Sequence, residues 1–182
     1  MKDTDILEIR AVLQKFQHGY DERNLERLDS FMNLFVAKDD VELIGIGAAQ
    51  RGGYEWFEGL DKVREIIQSD WEHWGNVVID VACAKINVHG EVAWLSTTGI
   101  LEQTDHFNKT LPFFLKQMKD LLEDEDKTPD EQLVEATHYG MRRLRERLKK
   151  VGHPWPFVIT ATLEKEAGHW RFHTIHWSMP VD

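Results

Sequence analysis

The chain is 182 residues long, 42% hydrophobic and carries a formal net charge of −10, which fits one domain with a sizeable core or a small domain plus an insertion. The apolar content excludes an intrinsically disordered chain, and the acidic balance excludes a general nucleic-acid binder. A lone cysteine, Cys83, excludes an intrachain disulfide and fits a reducing cytosol.

The opening MKDTDILEIR is charged and lacks a signal-peptide apolar core. No apolar run approaches the roughly 18 residues of a membrane span, so a cytoplasmic protein with no membrane partner is expected. Thr4 or Asp5 is placed to cap a first helix whose inward stripe is Ile6, Ile9, Leu13, Phe16 and Tyr20. Asn24 is placed to cap a second, with Leu25, Leu28, Phe31 and Met32 inward, and the two form a helical hairpin. A strand follows at Val41–Ile46, then a glycine-rich stretch up to Gly53.

A helix from about Leu60 to His73 ends at Gly75-Asn76. At 100° per residue, Val63, Ile67, Asp70 and Trp74 share its buried line, with Ile66 at the edge. An unpaired carboxylate is costly in such a place, so Asp70 has partners inside the fold or faces a cavity. Val77–His89 reads as one long strand with a phase change at Ala82-Cys83-Ala84, the mark of a bulge. Gly90 turns it into Val92–Gln103, and a final hairpin pairs Pro156–Glu166 with His169–Met179 around Ala167-Gly168. Between them, about residues 104–154 form a helical insert containing LPFFLKQMKDLL, an acidic link and a helix opened by Thr128-Pro129-Asp130-Glu131. Its end carries Arg142, Arg143, Arg145, Arg147, Lys149 and Lys150, suited to the negative pole of a helix and to pairing with Glu123–Asp126. The element order is α+β with a mainly antiparallel sheet.

This order, together with GYEWFEGLDKVREII, DWEHW, EVAWLSTTG and HWRFHTIHWSMP, resembles the NTF2-like superfamily in its SnoaL-like, ketosteroid-isomerase-like branch. The likeness covers roughly 4–103 and 155–180 and leaves the insert unmatched. His176-Trp177-Ser178 also looks like the end of the calcium/calmodulin-dependent kinase association domain, another member. The resemblance implies a single domain over 1–182: a curved sheet wrapped by helices into a cone around an apolar pocket, with a helical insertion before the last two strands. It implies a homodimer formed through the sheet and no cofactor, and it fixes no activity. In the isomerases a phenol and a carboxylate base do the chemistry. By eye, Phe16 stands where the phenol would be and Leu43 near the base, and neither side chain moves a proton.

The candidate catalytic residues are Asp70 and His176. The candidate ligand-binding residues are Tyr20, Trp56, Trp74, Trp94, Thr98 and Ser178. Each also has a structural reading. Asp70 accepts hydrogen bonds inside the fold, Trp56 and Trp74 wall the core, and Tyr20 packs at a helix end with a wet hydroxyl. By strict alternation His176 shares a face with Thr174, Ser178, Trp170 and Phe172, either a pocket floor or a dimer face, while His173 lies opposite unless a bulge intervenes. His169 and His173 stand about 13 Å apart along a strand, too far to share a metal ion. Cys83 reads as a small core residue in mid-strand, and GIGAAQRGG lacks the spacing of a phosphate cradle.

Three functions follow. The first is a small-molecule binding or sensing module with an unidentified ligand. The second is a cofactor-independent lyase, isomerase or hydrolase with Asp70 as acid or base and His176 as proton partner. The third is a dimerisation scaffold. The insert would cover the open end of the cone as a lid, or pack on a second subunit. Val92, Trp94 and Ile100 on one sheet face, against Leu95 and Leu101 on the other, argue against a lone monomer.

Overall fold

The computed structural model describes residues 2–48, 50–104, 107–147 and 150–179. The chain divides into two compact units, Met1–Leu101 with Pro154–Asp182, and Glu102–His153.

In the larger unit, helix α1 spans Lys2–Glu22 and buries Ile9, Leu13, Phe16 and Tyr20. Thr4 and Asp5 lie inside this helix and not at its cap. Asp5 is turned inward, where its Oδ1 accepts hydrogen bonds from Lys165 Nζ (2.6 Å) and Trp170 Nε1 (3.1 Å). Asn24 caps as expected, its side chain accepting from the Glu26 amide, but what it opens is a 3-10 turn, Leu25–Arg27. The helix α2 proper is short, Leu28–Met32, with Leu28, Phe31 and Met32 buried and Leu25 left exposed.

The strands are β1 (Glu42–Ile44), β2 (Trp56–Glu58), β3 (Asn76–Ile79), β4 (Lys85–His89), β5 (Val92–Glu102), β6 (Pro154–Glu166) and β7 (His169–Ser178), with helix α3 (Leu60–His73) between β2 and β3. They form one sheet in the order β2-β1-β7-β6-β5-β3, with β4 also paired to β5. β1 with β2, β4 with β5 and β6 with β7 pair antiparallel, and β1 with β7 pairs parallel. The fold is therefore α+β with a mainly antiparallel sheet.

The segment Val77–His89 is two strands rather than one. Between them the chain turns at residues 80–84, and Arg10 of α1 holds that turn. Its guanidinium donates to the carbonyls of Val81, Ala82 (2.7 Å) and Ala84 (3.0 Å). Cys83 is consequently exposed in this turn and is no core residue. Its amide donates to Asp80 Oδ1 at 3.0 Å, and the neighbouring Asp80 carboxylate pushes its thiol pKa up. The edge strand β3 is tied to α1 by buried Gln17, whose Nε2 donates to Val77 O (2.9 Å) and whose Oε1 accepts from Ile79 N (2.6 Å). Gln17 thus takes a backbone donor and acceptor that an edge would otherwise leave open.

Alternation sets the two faces of the sheet. Ala93, Leu95, Thr97, Gly99 and Leu101 of β5 face inward with Trp155, Phe157, Ile159, Ala161 and Leu163 of β6. Against them Phe16 sits amid a set of rings, its centroid 5.0 Å from Tyr20, 5.4 Å from Phe31 and Phe172, and 6.2 Å from Trp177. Gly99 is required by this packing, since a Cβ there would lie 2.2 Å from the Phe157 ring.

The smaller unit is a helical pair, α4 (Phe107–Leu122) and α5 (Pro129–Arg147). Thr128 and Glu131 form a capping box at the start of α5: Thr128 N donates to Glu131 Oε2 (2.9 Å), and Glu131 N donates to Thr128 Oγ1 (3.4 Å). Phe114 stacks on Tyr139 at 5.8 Å, with the Arg143 guanidinium 5.6 Å from the same ring. Within the acidic link, Asp124 pairs with Lys127 at 3.1 Å. Of the basic helix end, Lys149 and the side chains of Arg142, Arg145 and Arg147 lie outside the described residues. Among the described residues no helix is long and apolar enough to cross a membrane.

Candidate functional site

The polar centre of the larger unit is a phenol–carboxylate pair joining α1 to α3. Tyr20, on the inward stripe of α1, donates from Oη to Asp70 Oδ2 at 2.9 Å. The buried line of α3 is Val63, Ile67 and Trp71, rotated from the expected Val63, Ile67, Asp70 and Trp74. Burying the Trp71 indole gains more than burying a carboxylate, so the helix turns Asp70 to a half-buried shoulder. There it meets the phenol of Tyr20. The Tyr20 hydroxyl is therefore not wet: the residue is 2% exposed. Burial, together with the adjacent negative charge of Asp70, holds its pKa well above the ordinary 10.0.

Arg23 fixes the corner behind this pair. Its left-handed backbone (φ 48°) ends α1, and its side chain reaches across to the end of α3. Nε donates to Tyr20 O (3.0 Å), Nη1 to Trp74 O (2.6 Å), and Nη2 to Gly75 O. Trp74, the residue capping α3, is half-buried and lies edge-on to Trp177 with centroids 5.3 Å apart. Tyr20, Asp70 and Trp74 thus converge.

The remaining candidates stand elsewhere. Trp56 is half-buried on β2, opposite Ile44 of β1, and its indole N–H donates to Glu42 Oε1 at 3.1 Å. Trp94 and Thr98 point outward from β5, and both are exposed. His176 and Ser178 are exposed on the outer face of β7. The pairing of β6 with β7 shifts register between Thr162 and Leu163, where Thr162 faces Thr174 but Leu163 faces Phe172. His173 is the extra residue. The bulge moves the inward set from Trp170 and Phe172 to Ile175 and Trp177, so His176 lies on the opposite face from Trp170 and Phe172. His173 itself stays outward, and its Nε2 is 3.4 Å from Asp40 Oδ1. Trp177, beside His176 in the chain, packs 6.0 Å from Tyr20 on the inner side. The sheet therefore lies between His176 and the Tyr20–Asp70 pair.

This arrangement has definite chemical limits. A phenol with a raised pKa stays protonated at neutral pH and serves as a donor, not as a base. Asp70, held by that donor, is an acceptor whose path to the His176 imidazole is blocked. Among the described residues no three His, Cys, Asp or Glu side chains are grouped to hold a metal ion. Sequence reasoning missed Arg10, Gln17 and Arg23, because each acts on backbone groups far along the chain and leaves no local pattern.

The SnoaL-like domain family matches residues 9–113, more than half of the chain. The chain belongs to the SnoaL-like domain family. Solved structures share its fold. An NTF2-like protein from Pseudomonas putida KT2440 aligns with a TM-score of 0.61 at 13% identity, over 100% of this chain and 91% of that one. An NTF2-like superfamily protein from Salmonella enterica serovar Typhimurium LT2 gives 0.60 at 12%, over 99% and 94%. A ketosteroid isomerase-like protein from Erwinia carotovora atroseptica SCRI1043 gives 0.57 at 13%, over 98% of both chains. At such identities the likeness is one of fold alone. Among curated proteins, none matches the sequence significantly.

Proposed function

We propose that this SnoaL-like protein is a non-catalytic assembly module that forms a homodimer through the outer face of its sheet. One observation carries the reading: Val92, Trp94 and Ile100 of β5 and Val158 of β6 stand exposed on the face opposite the core, all at least 40% accessible. Among the neighbouring outward positions, Thr98, Thr160, His176 and Ser178 are uncharged or weakly basic, while Lys85 of β4, opposite Ser96, brings a charge. A largely apolar and neutral face of this kind marks an interaction surface, and two such faces match by two-fold symmetry. Light scattering on the purified protein should give twice the chain mass. The double substitution Trp94→Asp with Val158→Asp should give a folded monomer. A wild-type chain that is monomeric at tens of micromolar would sink the proposal.

A second reading, small-molecule binding at the Tyr20–Asp70 corner, is favoured by the half-buried carboxylate beside Trp74. It asks only for a ligand donor group at Asp70 and an apolar body against the indole. Its test is a thermal-shift screen of wild type against Asp70→Asn, in which hits that survive the substitution belong elsewhere. The name of the Erwinia neighbour keeps isomerase-type chemistry in view, but Phe16 and Leu43 are buried apolar residues here. No pairing of Asp70 with His176 supports general acid–base catalysis.

A further inference from the structure

Beyond the sheet face and the Tyr20–Asp70 corner, the helical layer of the larger unit carries a concave groove of about 190 Å³. It opens between the second half of α1, the turn after it, α2 and α3. Its floor is apolar: Phe31, Leu34 and Trp71. The Phe31 and Trp71 rings meet edge to face, 4.9 Å apart. The floor lies close beneath α1 because residue 19 is glycine; a Cβ there would fall 2.2 Å from the Phe31 ring and 3.2 Å from Trp71.

The rim of the groove is set apart by its charge. Lys15, His18 and Arg27 line the rim with a single carboxylate, Glu22. Glu22 is already engaged by His18 (3.4 Å) and Arg27 (3.1 Å), while Lys15 stands exposed on α1. In a chain of net charge −10, a basic rim over an aromatic floor runs against the general balance.

Size narrows the occupant. An apolar cavity of about 150 Å³ accepts benzene, whereas pockets for drug-sized ligands start near 300 Å³. The groove matches one ring with a short substituent.

We propose that this groove binds a free single-ring aromatic monocarboxylate, its ring on Phe31, Leu34 and Trp71 and its carboxylate against Lys15. The proposal goes beyond the dimer reading and does not depend on it, because none of these residues lies on the sheet.

The test is a titration of the whole protein with benzoate and with phenylacetate, followed through the indole N–H resonance of Trp71, assigned by its loss in Trp71→Phe. Benzyl alcohol serves as the uncharged control. The expected result is a saturable shift of that resonance by at least one acid at millimolar concentration, with benzyl alcohol binding more weakly. Lys15→Glu, an exposed substitution that leaves the fold alone, should weaken the acid about fivefold and leave benzyl alcohol unchanged. An unmoved Trp71 resonance overturns the proposal. So does equal affinity for acid and alcohol, or an acid whose affinity ignores Lys15→Glu. Saturation only by a phenylalanine-terminated peptide, with both free acids inert, would overturn it in favour of a protein partner.

Discussion

Trp177 and Trp94 stand on the same sheet and share almost nothing else. Trp177 is 2% exposed and ringed by Phe16, Tyr20, Trp74 and Phe157. Trp94 is 49% exposed on the outer face, opposite Asn87 of β4. Trp177 even buries its indole N–H without a partner, a cost of about 1–3 kcal/mol that its packing must outweigh. The inner face is therefore determined by shape, and polar atoms are admitted only where packing outweighs them or a specific partner waits. The outer face has no such closure. Its apolar side chains are unspent, and this is why the association proposal rests there.

The widest test of this contrast is to truncate both tryptophans. Trp177→Ala should lose about 3–5 kcal/mol in urea unfolding, the usual cost of emptying a large aromatic site. Trp94→Ala, measured on dilute protein, should stay within about 0.5 kcal/mol of wild type. A large loss at Trp94 in the monomer would break the comparison, because it would mean that the outer face is already covered within the chain.

Next in size is Tyr20→Phe, which removes the donor from Asp70 and should cost about 1 kcal/mol in the same assay. The pH dependence supplies a second readout. The Tyr20 pKa is raised in the folded protein, so its contribution is fully present below the ordinary value near 10.0. That contribution is lost as the pH climbs toward the folded value, since only the unfolded chain ionises readily there. Alkaline destabilisation should thus be shallower in Tyr20→Phe. Equal slopes in the two proteins would mean that the phenol is free in solution.

Much of the fold was legible because its periodicities are long and uninterrupted. The stripe Ile9, Leu13, Phe16 and Tyr20 and the alternation along β5 each contain enough repeats to define a face. The candidate site was less legible, for two physical reasons. Strict alternation carried His176 to the face of Trp170 and Phe172, but one extra residue at His173 reverses the phase. The signal was present: the large apolar residues fall on even numbers up to Phe172 and on odd numbers from Ile175. The helical wheel of α3 exposed an ill-placed carboxylate but not its partner, since the Tyr20 phenol is 50 residues earlier. The turn at 80–84 looks in sequence like a bulge within one strand, because its three carbonyls are satisfied by Arg10, more than 70 residues away. Partners that meet only in three dimensions leave no period to read.

The smallest expected effect concerns Asp5, a buried carboxylate of α1. Asp5 is held by Lys165 Nζ and Trp170 Nε1, and these hydrogen bonds keep its pKa below the ordinary 3.8. The sign follows from linkage: a carboxylate whose folded pKa is depressed contributes stability above its unfolded value and loses it as the pH falls through the folded one. Melting temperature should therefore decline on acidification more steeply in wild type than in Asp5→Asn, with the difference confined to the region at and below about pH 4. Asparagine keeps an acceptor for the Trp170 indole, so the two proteins should differ little in shape at neutral pH. Lys165→Met removes the other partner and should flatten the acid slope in the same window. If Asp5→Asn flattens it and Lys165→Met does not, the indole alone sustains the carboxylate. The inner face would then admit its charge through one neutral hydrogen bond, a weaker closure than the ion pair implies.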